Sequence, residues 1–477
     1  MEALATMDQL MLAGETFGSA MHVGIVLILT PPAGAGPDFV DGLYRDSLIG
    51  SHEIDPRLRR HPHRGLDTGG TWVWRDSGEV DLRKHLRRAT LPPGSGLDAM
   101  WKLVSELHSE RLDMAAPLWM SCLIDGMADG RFALYIKVHH IVIDGVGGLR
   151  MISDSLSEDP GRRSMPPFYA DKTGYDKNAA PESPTEHEHK RPRLPNPFGA
   201  VRAIADAAAA GLDLTRRVAA AELANIIGSL VSDVVKAPLE APRTRFNAKL
   251  GPDRVAAGSS LARARIRSVQ EAAGVTANDV ITTLVSGALR DWMTANGELP
   301  RQTLVSMCPV SVRSRDDEGS ATGGNQFGLG LCPLGTDIAD PIDRLTLVHD
   351  AMANIKHQVA SKGSDAMLAV MGPAIGSTVA LPLLGLGGVL PPSCNLAISD
   401  VPGPRETMYY NGARIDEIFP VSSTFDGMGL NVTVCSYADR IEVGYVTDAE
   451  MMPAVAELVP LTERALAELE SAFGLTP

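Results

Sequence analysis

Two adjacent histidines at the end of an apolar run are the residues of this chain whose types and spacing could carry out chemistry. The run starts at Arg131 and ends in His139 and His140; three apolar residues, Asp144 and Gly145 follow. An unperturbed imidazole titrates near neutral pH, so it can take up and return a proton during a reaction. The pattern therefore predicts general acid–base catalysis, in which Asp144 either orients a histidine or forms a structural ion pair. Gly145 leaves room for close approach of a substrate or for an unusual backbone angle.

The alternation of side chains along a strand indicates that only one of the two histidines can act in acid–base catalysis. Consecutive residues of a strand point to opposite faces, so His139 and His140 are not expected to share one task. One should face the channel of an active site while the other faces the interior. The pattern alone is equally compatible with a structural role, in which a buried histidine pair precedes an Asp144 that caps a helix.

A predicted β-hairpin delivers the two histidines. The segment from Pro117 reads as a strand, Ala128 to Gly130 form a turn, and the run up to His139 is the second strand. The next helix is expected to start near Val146. Apolar residues recur at helical spacing over residues 97–113, which predicts an amphipathic helix before the hairpin.

Length, composition and charge limit the class of protein. The chain has 477 residues, 44% of them hydrophobic, which suits two domains of about 200 residues each. The net charge of −14 argues against nucleic acid, because phosphate binding needs clustered Lys and Arg. The five cysteines form no C-x-x-C pair, so they indicate neither a zinc site nor a disulfide framework, and they fit a reducing cytoplasm.

Strand and helix patterns alternate in both halves of the chain, which predicts an α/β fold with mixed sheets. The predicted N-terminal domain covers residues 1–160, and the predicted C-terminal domain covers residues 199–477. Residues 161–198 read as an exposed crossover linker, because Pro, Lys, Glu, His and Ser replace the hydrophobic periodicity there. His187 and His189 are isolated in this charged segment, so we expect them to be solvated rather than to bind metal.

An uncharged stretch from Ala366 to Ser399 has a composition that resembles a membrane segment. Pro373 and Pro382 interrupt it, and proline removes a helix donor, so one clean spanning helix is not expected. We expect this stretch to line a lipid-binding cavity or to touch a membrane surface. The N-terminus lacks the basic segment of a secretory signal.

Several separate motifs, in order along the chain, make it resemble the bacterial wax ester synthase/acyl-CoA:diacylglycerol acyltransferase family, of the actinobacterial type. They are MDQLML, MHVG, PLW, HHIVIDG, PRTRFN, TANDVI, PVSVR, GNQF, DVPGP and LNVTVCSY. The likeness covers nearly the whole chain outside the linker. This family is related to chloramphenicol acetyltransferase and to the condensation domains of peptide synthetases. The resemblance implies two chloramphenicol acetyltransferase-like domains with mixed sheets and an active site in a tunnel at the domain interface.

The resemblance also implies a mechanism. His140 would be the general base that takes the proton of an acceptor hydroxyl, which attacks the thioester of an acyl-CoA. It would then protonate the leaving thiolate, with no covalent acyl-enzyme. His139 would be mainly structural. Asp144 would pair with an arginine that stabilises the loop, and Arg313 in PVSVR is the candidate partner.

The other motif residues have less definite roles. Asn278 and Asp279 match the Asn-Asp motif of the family, and they could lie near the active site or cap a helix. Pro117, Leu118 and Trp119 match its Pro-Leu-Trp motif and are expected to be architectural or to line the acyl channel. No residue is assigned to stabilise the oxyanion.

One departure from the family pattern is visible. Where the family has Ser-Asn-Val-Pro-Gly-Pro, this chain has Asp400 in the second position. Asp also favours turns, so the turn should survive. The added charge could alter the choice of acceptor.

The expected reaction is esterification of diacylglycerol, of a long-chain fatty alcohol, or of both. Acyl-CoA would be the co-substrate, with no metal and no other cofactor. The alternatives are acyl transfer to another alcohol or amine, and a catalytically silent lipid-binding protein, against which the intact HHIVIDG argues. The expected location is the cytoplasm, in peripheral contact with the inner membrane or lipid droplets. Acyl chain length and oligomeric state are not predicted.

Overall fold

A computed structural model describes residues 2–17, 20–49, 52–143, 145–173, 241–311, 327–357 and 392–475. Several predictions fall outside these ranges. They concern Asp144, Arg313, His187, His189, and most of both the linker and the uncharged stretch.

Helices and strands alternate along the described chain. The helices are α1 (Thr6–Phe17), α2 (Phe39–Ile49), α3 (Leu82–His85), α4 (Leu97–Ser109), α5 (Gly145–Ser153), α6 (Arg263–Ala273), α7 (Ala277–Ala295), α8 (341–357) and α9 (Leu458–Ala472). The strands are β1 (Glu2–Ala3), β2 (His22–Thr30), β3 (Arg60–His63), β4 (Val73–Asp76), β5 (Leu86–Ser95), β6 (Trp119–Met127), β7 (Phe132–His139), β8 (Arg254–Ala262), β9 (Val305–Ser311), β10 (Phe327–Pro333), β11 (Leu396–Pro402), β12 (Tyr409–Tyr410), β13 (Ala413–Val421), β14 (Leu430–Tyr437) and β15 (Arg440–Asp448).

Two six-stranded sheets form the layers of the fold. The N-terminal sheet has the strand order β12-β13-β2-β7-β6-β5, and the C-terminal sheet has the order β10-β9-β11-β14-β15-β8. Both are mixed, because β5 pairs parallel to β6 and β11 pairs parallel to both β9 and β14, among otherwise antiparallel pairs. The predicted α/β class with mixed sheets is confirmed.

The hairpin formed by β12 and β13 crosses from the second half of the chain into the first sheet. β13 pairs antiparallel to β2, with Val421 opposite Gly24. The predicted domain limits at residues 160 and 199 stay predictions. The pairing of β13 with β2 shows that a segment of the predicted C-terminal domain completes the N-terminal sheet.

The predicted elements around the histidine motif are confirmed. β6 and β7 form an antiparallel hairpin in which Trp119 lies opposite Val138. α4 covers most of the predicted amphipathic helix, and α5 starts at Gly145, one residue before the predicted start.

α4 also closes the outer edge of the C-terminal sheet, where β8 is the last strand. The hydroxyl of Ser105 accepts a hydrogen bond from the amide of Ala256 at 2.9 Å. The hydroxyl of Ser109 accepts one from the amide of Arg254 at 2.8 Å. An edge strand presents unpaired amides that would otherwise attract another chain. Here a helix of the first half satisfies two of them and ties the halves together.

Two glycines let the sheets approach each other. At Gly444 in β15, an added Cβ would lie 1.8 Å from the carbonyl oxygen of Pro420 in β13. At Gly258 in β8, it would lie 2.5 Å from the ring of Trp101 and 2.6 Å from that of Phe419. An added side chain would require movement of the Pro420 backbone at position 444, and movement of the Trp101 and Phe419 rings at position 258.

Lys137 is a charge inside the apolar strand β7, with 1% of its surface exposed. Its Nζ donates to the carbonyl oxygens of Leu107 at 2.5 Å and Glu110 at 2.6 Å. These carbonyls lie at the C-terminal end of α4, where the helix dipole favours a cation. Burial lowers the pKa of Lys137 to about 8. The contact ties α4 to the strand two residues before His139.

Replacing Gly444 by Ala should destabilise the protein, because the new methyl group must displace the backbone of Pro420. Overpacking usually costs about 1–3 kcal/mol, and a clash with backbone should lie at the upper end of that range. Urea unfolding measures the loss. Gly36→Ala is the control, since nothing lies within 4 Å of an added Cβ there. Equal stability of the two variants would contradict the close crossing.

The stability of the protein should depend on the pKa of Lys137. Between a folded pKa of about 8 and the ordinary value of 10.5, the unfolded chain binds more protons, so this group makes stability rise with pH. The gain is about 1.4 kcal/mol for each unit by which the pKa is lowered. Free energies of unfolding from pH 7 to 10.5 should rise more steeply in wild type than in Lys137→Met. The exposed Lys102→Met should follow wild type. Parallel profiles for wild type and Lys137→Met would refute this origin of the pH dependence.

Candidate active site

His139 is the last residue of β7 and is completely buried. Its Nδ1 accepts a hydrogen bond from the amide of Ile141 at 3.2 Å, so its proton must be on Nε2. Nε2 lies 3.4 Å from Oε1 of Glu15 in α1, at the far end of hydrogen-bond distance. The ring is thus fixed between a backbone amide and a carboxylate.

Glu15 is a member of this site that sequence reasoning missed. Burial by itself raises its pKa, but hydrogen bonds from His139 and from the amide of Met21 outweigh that effect and lower it. The Met21 amide donates to Oε1 at 2.6 Å, and Nη1 of Arg111 lies 3.5 Å from Oε2. Glu15 is therefore ionised at neutral pH. No spacing signal could reveal it, because Glu15 and His139 are far apart in the chain.

His140 follows the end of β7 and is partly exposed, in contrast to His139. Its backbone amide donates to the carbonyl oxygen of Met21 at 2.8 Å, which extends the β2–β7 pairing by one residue. The amide of Val142 then donates to the carbonyl oxygen of His139 at 2.9 Å and closes a turn. The backbone of His140 is held on both sides while part of the residue is accessible to solvent.

The motif turn meets the other half of the chain at Gly145. A Cβ on Gly145 would lie 3.6 Å from Cγ2 of Val401, near the end of β11. The next residue, Val146, is half exposed. The start of α5 therefore lies beside β11 of the C-terminal sheet, and the apolar side chain of Val146 is accessible there. Asp144 lies outside the described residues, so its contacts are not assigned.

Asp400 lies next to Val401 in β11. Its side chain is accessible to solvent, yet burial raises the pKa of its carboxyl to about 6. Both facts hold for a carboxyl in a recess, where protein surrounds the group and solvent enters from one side.

Ser399 precedes Asp400 in β11, and its hydroxyl lies 2.9 Å from Oγ1 of Thr433, which is 2.7 Å from the hydroxyl of Ser422. A row of hydroxyl groups thus connects the C-terminal sheet to the end of β13.

The Pro-Leu-Trp motif lies directly beside the histidine strand. The carbonyl oxygen of Leu118 accepts a hydrogen bond from the amide of His139 at 3.0 Å. Trp119 is buried and stacks on His85 with 4.5 Å between ring centroids, and Pro117 is buried as well. These contacts give the motif an architectural position, next to the backbone that carries the histidines.

The Asn-Asp motif lies at the start of α7. Thr276 is the N-cap of α7, and its hydroxyl and the carboxylate of Asp279 form a reciprocal capping box. Oδ2 of Asp279 also lies 2.9 Å from Nδ1 of His349 in α8. Asp279 is buried and Asn278 is partly buried. The structure gives Asp279 a helix-capping contact and a histidine partner that sequence reasoning did not find. Arg313, the candidate partner of Asp144, lies outside the described residues.

Two further observations concern metals and membranes. Within the described ranges, no group of three or more His, Cys, Asp and Glu side chains could hold a metal ion. Among the helices of the same ranges, none combines the length and the apolar character needed to cross a bilayer.

Comparison with known proteins extends over both halves. The family model of the wax ester synthase/diacylglycerol acyltransferase catalytic domain matches residues 4–281, and that of the WS/DGAT C-terminal domain matches residues 323–470. A putative diacylglycerol O-acyltransferase of Mycobacterium tuberculosis H37Rv is 35% identical over 475 residues, covering 99% of this chain and 100% of the relative. A probable diacylglycerol O-acyltransferase of the same strain is 32% identical over 476 residues and covers 100% of both chains.

Solved structures agree with these matches. The wax ester synthase/diacylglycerol acyltransferase from Marinobacter aquaeolei VT8 superimposes with a TM-score of 0.78 at 29% identity, over 100% of both chains. The first condensation domain of the CDA synthetase has a TM-score of 0.53 at 15% identity, over 99% of this chain and 95% of that one. The second likeness shows the fold alone. The resemblance read from the ordered motifs is thus confirmed over the whole length, and the chain belongs to the wax ester synthase/diacylglycerol acyltransferase family.

Proposed function

We propose that this protein is an acyl-CoA-dependent O-acyltransferase that esterifies diacylglycerol, a long-chain fatty alcohol, or both. The observation that carries the proposal is the position of His140. It is the partly exposed histidine at a strand end, in the turn that leads to α5, and α5 begins beside β11 of the other sheet. The chain around it matches its family over both halves. Acyl-CoA is the proposed co-substrate, with no further cofactor.

In the proposed reaction His140 is the general base. It takes the proton of the acceptor hydroxyl while the oxygen attacks the thioester carbonyl of the acyl-CoA. The tetrahedral intermediate then collapses, the carbon–sulfur bond breaks, and the imidazolium returns the proton to the thiolate. The products are an ester and free coenzyme A, so atoms and charges balance without a covalent acyl-enzyme.

The surroundings of His140 support this assignment. The ring of His139 is tied to Glu15 and to the Ile141 amide, so it is not available for the same task. Its fixed position in turn holds the backbone from which His140 projects. Holding the base and two substrates in one geometry is a large part of catalysis by this type of enzyme. We propose that the substrates meet in a tunnel between the halves, and that Asp144 stabilises the loop by pairing with Arg313.

Replacing His140 by Ala should lower the rate of ester formation by roughly 10²–10⁴-fold, the usual contribution of a general base. Radiolabelled palmitoyl-CoA with diacylglycerol, and separately with hexadecanol, provides the measurement. His52→Ala, at an exposed histidine outside the motif, is the matched control and should keep full activity. Thermal unfolding verifies that both variants are folded.

Two results would count against the proposal. Full activity in folded His140→Ala protein would remove the base from the mechanism, whatever the acceptor. A wild-type protein that forms no ester with either alcohol would remove the proposed substrates, and other alcohols and amines would then be tested.

We also propose peripheral contact with a membrane or lipid-droplet surface. Leu66 is fully exposed in the loop between β3 and β4, whereas most large aliphatic side chains in the described part of the chain are buried. In the same loop, the guanidinium of Arg64 lies 5.9 Å from the ring centroid of Trp72. An exposed leucine beside a cation and a tryptophan suits the interface of an anionic bilayer, where apolar and cationic groups both gain contacts.

Vesicle flotation tests this contact. Wild-type protein should float with vesicles of phosphatidylcholine and phosphatidylglycerol, and Leu66→Asp should bind several-fold less. Leu97→Asp, at a partly exposed leucine in the first turn of α4, should bind as wild type does. Equal flotation of Leu66→Asp and wild type would exclude the loop, and no flotation of wild type would exclude the contact.

A further inference from the structure

We propose that a groove between α7, α8 and α9 binds the phosphate group of a small phosphorylated molecule. The groove has a volume of about 610 Å³, and three arginines line it: Arg290, Arg344 and Arg464. The histidine motif lies elsewhere in the fold, so the site is separate from the proposed transferase chemistry.

Arg344 is the central group of the groove and is 3% exposed. Its Nη2 donates to the carbonyl oxygen of Ala339 at 3.2 Å. Its Nε is buried and has no hydrogen-bond acceptor among the residues that the structure describes. A buried polar group without a partner is costly, and a buried cation more so. The described residues therefore leave part of the hydrogen-bonding capacity of the Arg344 guanidinium unused.

The helices around Arg344 are shaped to admit its guanidinium. A Cβ at Gly287 in α7 would lie 2.9 Å from Nη1 of Arg344 and 3.0 Å from Cβ of Ala465 in α9. The absence of a side chain at Gly287 leaves the space that the guanidinium occupies. The arginine is thus built into the junction of α7 and α9, with fewer conformations than a surface arginine has.

A second guanidinium stands beside the first. Nη1 of Arg290 donates to the carbonyl oxygen of Thr336 at 2.6 Å. Burial lowers the pKa of Arg344, and repulsion by Arg290 lowers it further. Within the described ranges, neither arginine forms an ion pair with a carboxylate. Two cations that repel each other inside a groove favour binding of a dianion.

The carboxylates of the groove do not remove this excess charge. Asp291 is 3.7 Å from Nη1 of Arg464, so these two largely neutralise each other. Glu468 also lines the groove and attracts Arg344 without reaching ion-pair distance. A guanidinium presents donors in a planar fork that matches two oxygens of a phosphate group. The volume exceeds that of one phosphate, which leaves room for the remainder of a phosphorylated molecule.

Calorimetric titration of the full-length protein with inorganic phosphate and with pyrophosphate, at constant ionic strength, tests the proposal. Wild type should bind at least one of them saturably. The Kd should rise about 10- to 100-fold in Arg344→Met, since charge-assisted hydrogen bonds of this kind are strong. Arg290→Met, at a half-buried position, should weaken binding in the same direction and serves if Arg344→Met does not fold.

Arg267→Met is the matched control, because Arg267 is exposed and already paired with Glu271 at 2.8 Å. It should bind phosphate as wild type does. No saturable binding of either anion by wild type, or an equal Kd in wild type and both groove variants, would overturn the proposal.

A third titration, with adenosine 3′,5′-bisphosphate, distinguishes the source of the phosphate. Tighter binding than that of inorganic phosphate, with the same loss in Arg344→Met, would identify a nucleotide ligand. If Arg344→Met loses binding of inorganic phosphate while the bisphosphate shows neither tighter binding nor the same loss, the ligand is free phosphate or another phosphorylated metabolite. Both outcomes support phosphate binding in the groove.

Discussion

The contact between the two sheets at Gly444 and Pro420 is the constraint on which the remaining structure depends. A side chain at position 444 would collide with the backbone of the opposite sheet. Because the sheets touch here, the core around Trp101 contains side chains from both halves, including those of β2, β13 and β15. Burial of this shared apolar surface stabilises the halves together. The same arrangement brings the start of α5 beside β11, where a Cβ at Gly145 would lie 3.6 Å from Val401.

Polar groups beneath the histidine motif also hold the structure around it in place. Lys137 is satisfied by carbonyl oxygens at the end of α4, and Glu15 is satisfied by His139 and a backbone amide. A buried charge with such partners holds its neighbours in one geometry, while loss of one partner leaves the other uncompensated. His140 is therefore supported by neighbouring polar side chains of which Lys137 and His139 are buried and Glu15 is only 12% exposed.

Local patterns in the sequence were enough for the elements that carry the motif. The alternation of the β6–β7 hairpin and the spacing of α4 each depend on neighbouring residues, and each is found as predicted. The contact of Glu15 with His139 and the pairing of β13 with β2 were missed because residues distant in the sequence form them. Lys137 was missed because a strand pattern does not show which long side chain will find carbonyl partners. The roles of Asp144 and Arg313 stay predictions.

The insertion of the β12–β13 hairpin into the N-terminal sheet has a consequence for the synthesis of the protein. Until almost the whole chain has left the ribosome, β2 lacks its neighbour β13 and exposes one edge of an otherwise apolar strand. An unpaired edge of this kind invites pairing with other chains. The sheet of the first half can therefore close only late in synthesis, after β13 has left the ribosome. The first half therefore cannot complete its own sheet, even though the two sheets look like separate domains.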